Sequence, residues 1–184
     1  MENPIPKIKE LMAHHKKNCI DILRSALKIL KKEPLKIYTD ASCISQTGSG
    51  AIAFVVTRKE VILHQHSQSF EGTHKSSLKL ELLAISAAVK YAEKHYKKVP
   101  KEIYTDSQHA IDKIAKLKEL KPCSLNKKTM FVKVPDVEYI KIQGHQRLSN
   151  GFGAQMNRIA DKLAHTAAKR HSKKILKKKE EETK

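Results

Sequence analysis

Long apolar runs are missing from this chain: no stretch of its 184 residues approaches the ~20 apolar residues that a membrane-spanning helix needs. The first residues are too polar for the apolar region of a secretory signal. Cysteine is scarce. Cys19, Cys43 and Cys123 are widely spaced, odd in number and form no CxxC pair, which excludes a disulfide framework and a Cys-based zinc site and suits a reducing, cytoplasmic setting. Acids are outnumbered, with 19 Asp and Glu against 37 Lys and Arg and a formal net charge of +18. That balance points to a polyanionic partner, nucleic acid first and an acidic membrane surface second. What remains is enough chain for one domain with a proper core plus a modest extension.

The extension comes first. Ile8, Leu11, Met12, Cys19, Ile20, Leu23, Ala26, Leu27 and Leu30 recur at spacings of three and four with lysines between them, so residues 1–34 read as a basic helical arm. His14 and His15 do not make a metal pair there, because adjacent helical residues point about 100° apart. Glu33-Pro34 breaks the helix, since proline disfavours helical geometry in the residue before it. From Lys36 the pattern predicts strands over about 36–41, 50–58 and 61–70, with Gly48-Ser49-Gly50 and Arg58-Lys59-Glu60 as turns. A helix over about 76–95 follows, with a Ser76/Ser77 start and Leu80, Leu83, Ala84, Ala87, Ala88 and Tyr91 as its packing face. A strand (101–105), a helix (about 107–120), a basic loop with a short strand at 129–132, a strand (137–142) and a helix (154–174) complete the domain, 35–171. This order indicates an α/β domain built on a mixed sheet. Residues 172–184 read as a Lys/Glu-rich tail, a frayed helix or disordered.

Chemistry is signalled by a repeated tetrapeptide. Ile37-Tyr38-Thr39-Asp40 and Ile103-Tyr104-Thr105-Asp106 are both strand-then-Asp, which suggests neighbouring strands carrying two carboxylates to one place. Glu81 stands among leucines in LKLELLAIS, where a merely solvated glutamate is out of place, and Asp161 opens the last helix. Four acids crowded together repel, and their pKa values rise unless a divalent cation neutralises them. Hard oxygen donors select Mg²⁺ or Mn²⁺. Two such ions side by side activate water at a phosphodiester and stabilise its leaving oxygen. A basic protein carrying this cluster is a candidate nuclease or polynucleotidyl transferase.

Four motifs in order, YTDAS with its Gly-x-Gly turn, LELLA, TDSQ, and Gly144-His145 before NRIADKLA, resemble the type 1 ribonuclease H family over Leu35 to about Lys169. The resemblance implies a five-stranded mixed sheet, three antiparallel strands then two parallel, flanked by helices. It implies an endonuclease for the RNA strand of RNA–DNA hybrids, with Mg²⁺ or Mn²⁺, two ions per site. By position, Asp40, Glu81, Asp106 and Asp161 match the metal-binding carboxylates. His145 matches a mobile histidine that assists proton transfer or product departure, and its glycine-flanked place in a loop suits such a role. Gln108 falls on a minor-groove contact, Ser42 and Cys43 on the segment whose backbone meets the RNA, and Asn157 on an asparagine one turn before the last acid. Ser77 and Leu78 stand where the family often has an Asn pair. The remaining histidines, His64, His66, His74, His95, His109, His165 and His171, are expected on the surface or in packing.

The chain also departs from the family. Ala41 replaces a glycine, and the interval from Asp106 to His145 is too short for both the basic handle helix and the helix that follows it. The arm or the Lys-rich termini are expected to supply the missing phosphate contacts. Neither an obligate protein partner nor a membrane is expected, and the state is a monomer. Two other readings remain open: a non-catalytic binder of hybrids or double-stranded RNA, and another nuclease or transferase on the same fold.

Overall fold

A computed structural model describes residues 15–22, 33–71, 76–116, 136–144 and 151–183. The chain divides into two compact units, Met1–Glu33 and Pro34–Lys184. In the first, residues 15–22 are helical (α1); the rest of the expected arm lies outside the described residues. Among the described residues no helix is long and apolar enough to cross a membrane.

The second unit is built on a five-stranded mixed sheet flanked by helices. Its strands are β1 (Leu35–Ile44), β2 (Ser49–Arg58), β3 (Val61–Phe70), β4 (Lys101–Thr105) and β5 (Val137–Lys141). They lie in the order β3-β2-β1-β4-β5. β1–β2 and β2–β3 are antiparallel hairpins, whereas β4 joins β1 and β5 joins β4 in parallel. The hairpin turn at Lys59-Glu60 has φ of 48° and 60°, the left-handed pair that lets a two-residue turn follow the twist of its strands. Gly48, at φ 66°, supplies the same freedom between β1 and β2.

Alternation along β1 and β4 sorts their side chains onto two faces. Leu35, Ile37 and Ile103 join Phe54 and Val56 of β2 under helix α2 (Ser77–His95) and helix α3 (Gln108–Ala115). Tyr38 and Val55 face helix α4 (Gly151–Glu182) through Met156 and Ala160. Ile37, Ile85 and Ile103 are almost wholly buried, each contributing about 1.5–3 kcal/mol by leaving water. β2, covered on both faces, is buried at every position but Arg58.

Four expectations about the elements change. β1 does not end at Asp40 but runs on to Ile44; it is β4 that stops, so β1 pairs with β4 only from Leu35 to Tyr38. In α2, Leu82, Ile85, Val89 and Ala92 are buried beside Leu80, Ala84 and Ala88, while Leu83, Ala87 and Tyr91 are only partly so. A helix lying across the middle of a sheet is covered over a broader arc than one apolar stripe. α3 is capped by Lys116 rather than continuing to about 120, and residues 117–135, with the expected strand at 129–132, lie outside the described ones. α4 starts at Gly151 and continues through the Lys/Glu segment to Glu182. Lysine and glutamate are good helix formers, and Ile175, 8% exposed, anchors the extension.

α4 lies close on the sheet because its inward residues are small: Ala160, Ala164, Ala168 and Ser172 are all buried. Ser49 Oγ donates to the Ala168 carbonyl at 3.0 Å and Thr47 Oγ1 to Ser172 Oγ at 2.8 Å. These bonds tie the helix to the β1–β2 turn.

Candidate active site

Where β4 ends and β1 continues, the sheet opens a crevice at the carboxyl ends of two parallel strands. Open α/β sheets place their sites at such crevices. Asp40 enters from β1 and is 8% exposed. Asp106 directly follows β4 and is held there by its neighbours. Thr105 Oγ1 accepts from the Ser107 amide at 3.2 Å, and Ser107 Oγ caps α3 by accepting from the Ala110 amide. Glu81 comes from the second turn of α2, whose start is fixed by Ser76 accepting from the Lys79 amide. Buried Leu80 and Leu82 flank it, so the helix cannot turn the carboxylate out to solvent.

Asp40, Glu81 and Asp106 each offer an oxygen within 4.8 Å of the other two. Asp161 of α4 joins them: with Asn157, Arg158 and Ala41 these acids line one cleft of about 210 Å³. Burial, then the charges of Asp106 and Asp161, push the Asp40 carboxyl up to about 7, against the opposing amide of Ala41. Burial and the charges of Asp40 and Asp106 push Glu81 up to about 9. Glu81 Oε2 and Asn157 Oδ1 are buried with no hydrogen-bond partner. Buried acceptors without donors are costly, and here two of them face a cleft of acids. A hard cation satisfies every one of these groups, so the donor set fits Mg²⁺ or Mn²⁺.

Of the other sequence-selected residues among those described, Asn157 lines this cleft, whereas Ser42, Cys43, Ser77 and Gln108 do not. Ser42 Oγ lies 3.4 Å from Nδ1 of His165 on α4, and Cys43 is exposed. Ser77 is exposed at the start of α2. Gln108 is exposed and donates to Asp112 Oδ1 at 2.8 Å along its own helix. His145 lies outside the described residues.

The RNase H family profile matches residues 32–169. The chain belongs to the RNase H family. Among solved structures, this RNase H-family protein is similar to LC11-RNase H1, isolated from compost by a metagenomic approach and solved in complex with an RNA/DNA hybrid. The identity is 18% and the TM-score 0.54, over 74% of this chain and 98% of that one. RNase H1 from the halophilic archaeon Halobacterium salinarum matches at 16% identity and TM-score 0.50, over 73% and 96% of the two chains. The prototype foamy virus protease-reverse transcriptase matches at 20% identity and TM-score 0.55 over 76% of this chain, which spans only 21% of the viral one. At these identities the likeness is one of fold. A search of the curated proteins finds no match by sequence.

Three contributors to the cleft went unassigned in the sequence. The backbone amide of Ala41 opposes the rise in pKa at both Asp40 and Glu81, and a backbone group has no side-chain signature. Arg158 lines the cleft; its i, i+3 spacing to Asp161 was the signal available. Gly144 passes so close to Asp106 that a Cβ added to it would lie 2.6 Å from Asp106 Oδ2. Only the absence of a side chain lets the two segments meet.

Proposed function

We propose that this protein is a divalent-metal-dependent endonuclease that hydrolyses the RNA strand of RNA–DNA hybrids, leaving 3′-hydroxyl and 5′-phosphate ends. The observation that carries the reading is the convergence of Asp40, Glu81, Asp106 and Asp161 from four separate elements on one cleft. A binder of phosphate gains nothing from such a concentration of negative charge, so the cluster favours catalysis over a purely binding role. The RNA/DNA hybrid bound by LC11-RNase H1 supports the substrate class.

Asp40, Glu81, Asp106 and Asp161 would hold two Mg²⁺ or Mn²⁺ ions. When bound, such ions lower the pKa of water for attack and neutralise the charge that develops on the leaving oxygen. Asp40, midway along β1, and Asp106, just past the end of β4, are shared or primary ligands. Glu81 holds metal and faces substrate, and Asp161 completes the second site. The Asn157 side-chain oxygen, buried against the cleft, is a further acceptor there, and Asn157 is a proposed substrate contact. His145 moves a proton or helps the product leave, in keeping with a side chain that titrates near neutral pH. Ser42, Cys43, Ser77 and Gln108 are the other proposed substrate contacts, and discrimination of RNA from DNA rests on the 2′-hydroxyl read across a wide minor groove.

The test is cleavage of labelled RNA–DNA, RNA–RNA and DNA–DNA duplexes in Mg²⁺, Mn²⁺ and EDTA. Metal-dependent cutting of the RNA strand in the hybrid alone is expected. Tight hybrid binding without cleavage in either metal would instead identify a binding module.

A further inference from the structure

The charge of α4 is distributed unevenly around its axis. Between Arg158 and Lys179 the helix carries a single acid, Asp161. At about 100° per residue, Arg158, Lys162, His165, Lys169 and Lys173 fall within an arc of roughly 80°, next to the buried stripe of Ala160, Ala164 and Ala168. All five are exposed. Among the described residues none of the four Lys and Arg side chains has a carboxylate within salt-bridge distance. The ridge from Arg158 to Lys173 spans roughly 22 Å at 1.5 Å per residue.

Its position is fixed by contacts at three points. At one end Arg158 lines the acidic cleft. Midway, His165 meets Ser42. Further on, Ser172, next to Lys173, accepts from Thr47 at the β1–β2 turn. The ridge therefore follows the half of β1 beyond Tyr38, where β4 no longer pairs and, among the described residues, no other strand takes its place. A duplex that crosses the carboxylates and leaves along that edge would have this row of cations beside it.

We infer that the Arg158–Lys173 flank of α4 is a phosphate track, binding the sugar-phosphate backbone of the substrate duplex on one side of the cleavage point. It rests on the hybrid-nuclease reading above and takes over the non-sequence-specific affinity that the short interval between Asp106 and His145 leaves unsupplied. Such contacts hold register and carry no base information. Lysines, as point charges on flexible stems, suit that task.

The experiment compares the full-length protein with its Lys162→Gln/Lys169→Gln/Lys173→Gln variant. Hybrid affinity is measured by fluorescence anisotropy across a salt series in EDTA, which also prevents cleavage. Each lost phosphate contact reduces the slope of log K against log salt by about 0.9, so a fall of about 2 to 3 is expected. Under cleavage conditions KM rises at least tenfold while kcat stays within about twofold, as for uniform binding energy. Moving the same charge loss to the opposite flank, Arg170→Gln/Lys174→Gln/Lys178→Gln, should change the slope by less than half as much. An unchanged slope in the first variant, or equal changes in both, overturns the track. So does loss of binding to phosphatidylserine vesicles with an unchanged hybrid slope, which reassigns the ridge to a membrane surface. If the triple variant loses its circular-dichroism melting transition, the three single variants, each expected to lose about 0.9, decide instead. A wild type that cleaves hybrids beside a variant of unaltered slope sinks the track alone. A wild type that cleaves nothing, with a flattened slope in the variant, sinks the nuclease reading alone.

Discussion

Asp40 and Asp161 line one cleft, although one lies in the second unit's first strand and the other in its last helix. Together with burial and the charge of Asp106, the charge of Asp161 pushes the Asp40 carboxyl up to about 7. Carboxylates held this close disfavour one another's ionisation, and a cation between them relieves that repulsion.

Substituting Asp40→Asn or Asp106→Asn should abolish cleavage, by on the order of 10³-fold or more, about 4 kcal/mol of transition-state stabilisation. Hybrid affinity should be largely retained. The same Asp40→Asn change should raise the metal-free melting temperature at pH 8 by several degrees, because it removes a buried charge that the native state disfavours. Full activity in either variant would overturn the assignment of these acids.

The pH dependence of stability follows with a definite sign. Asp40 and Glu81 move from ordinary values of 3.8 and 4.5 to about 7 and about 9 in the fold, so between about pH 4 and 9 the native state binds more protons than the unfolded chain. Their contribution is fully present below pH 4 and is lost as pH rises through the folded values. Divalent cations take over from those protons. Added Mg²⁺ or Mn²⁺ should therefore raise the melting temperature more at pH 9 than at pH 6, where Glu81 is still protonated. Equal increments at both pH values in a thermal-shift titration would contradict the shared site.

Gly144→Ala should leave the fold intact and reduce cleavage roughly 10- to 100-fold. Its Cβ would need the space of Asp106 Oδ2, and displacing a reacting group by an ångström costs up to about 10² in rate. Wild-type kcat in this variant would show that Asp106 has room to move without consequence.

Enlarging the seam of α4 is a test of positioning from a distance. Ala168 is fully buried and its carbonyl accepts from Ser49, so Ala168→Leu should overpack the seam by about 1–3 kcal/mol. Lifting α4 should also withdraw Asp161. A melting temperature lower by roughly 3–10 °C together with weaker Mn²⁺ binding is expected, with calorimetry as the check. Lower stability with undiminished Mn²⁺ affinity would show that Asp161 is not placed by this seam.

Legibility in the sequence tracked how local each signal was. The duplicated Ile-Tyr-Thr-Asp gave away Asp40 and Asp106 because the two paired strands use the same alternation to carry an acid to the point where their pairing gives out. Glu81 stood out against its leucine neighbours. Asp161 was marked only by its place at the start of the last helix and was matched to the other three by the family's motif, since nothing in its own surroundings ties it to a residue 121 positions earlier. The Ala41 amide, the approach of Gly144 to Asp106 and the Ser42–His165 contact left no trace, being products of packing between segments that carry no shared pattern. The length of α4 was misread for another reason: Lys and Glu suit an exposed helix and a disordered tail equally well, and the packing of Ile175 decides between them.

Because Asp161 arrives on α4, synthesis completes the cluster late. A ribosome that has finished β5 has already made three of the acids, yet the fourth and the seam that seats it are still missing. Chains that stop short of α4 accordingly lack the complete cluster, and the cleft assembles only once the helix carrying Asp161 has been made.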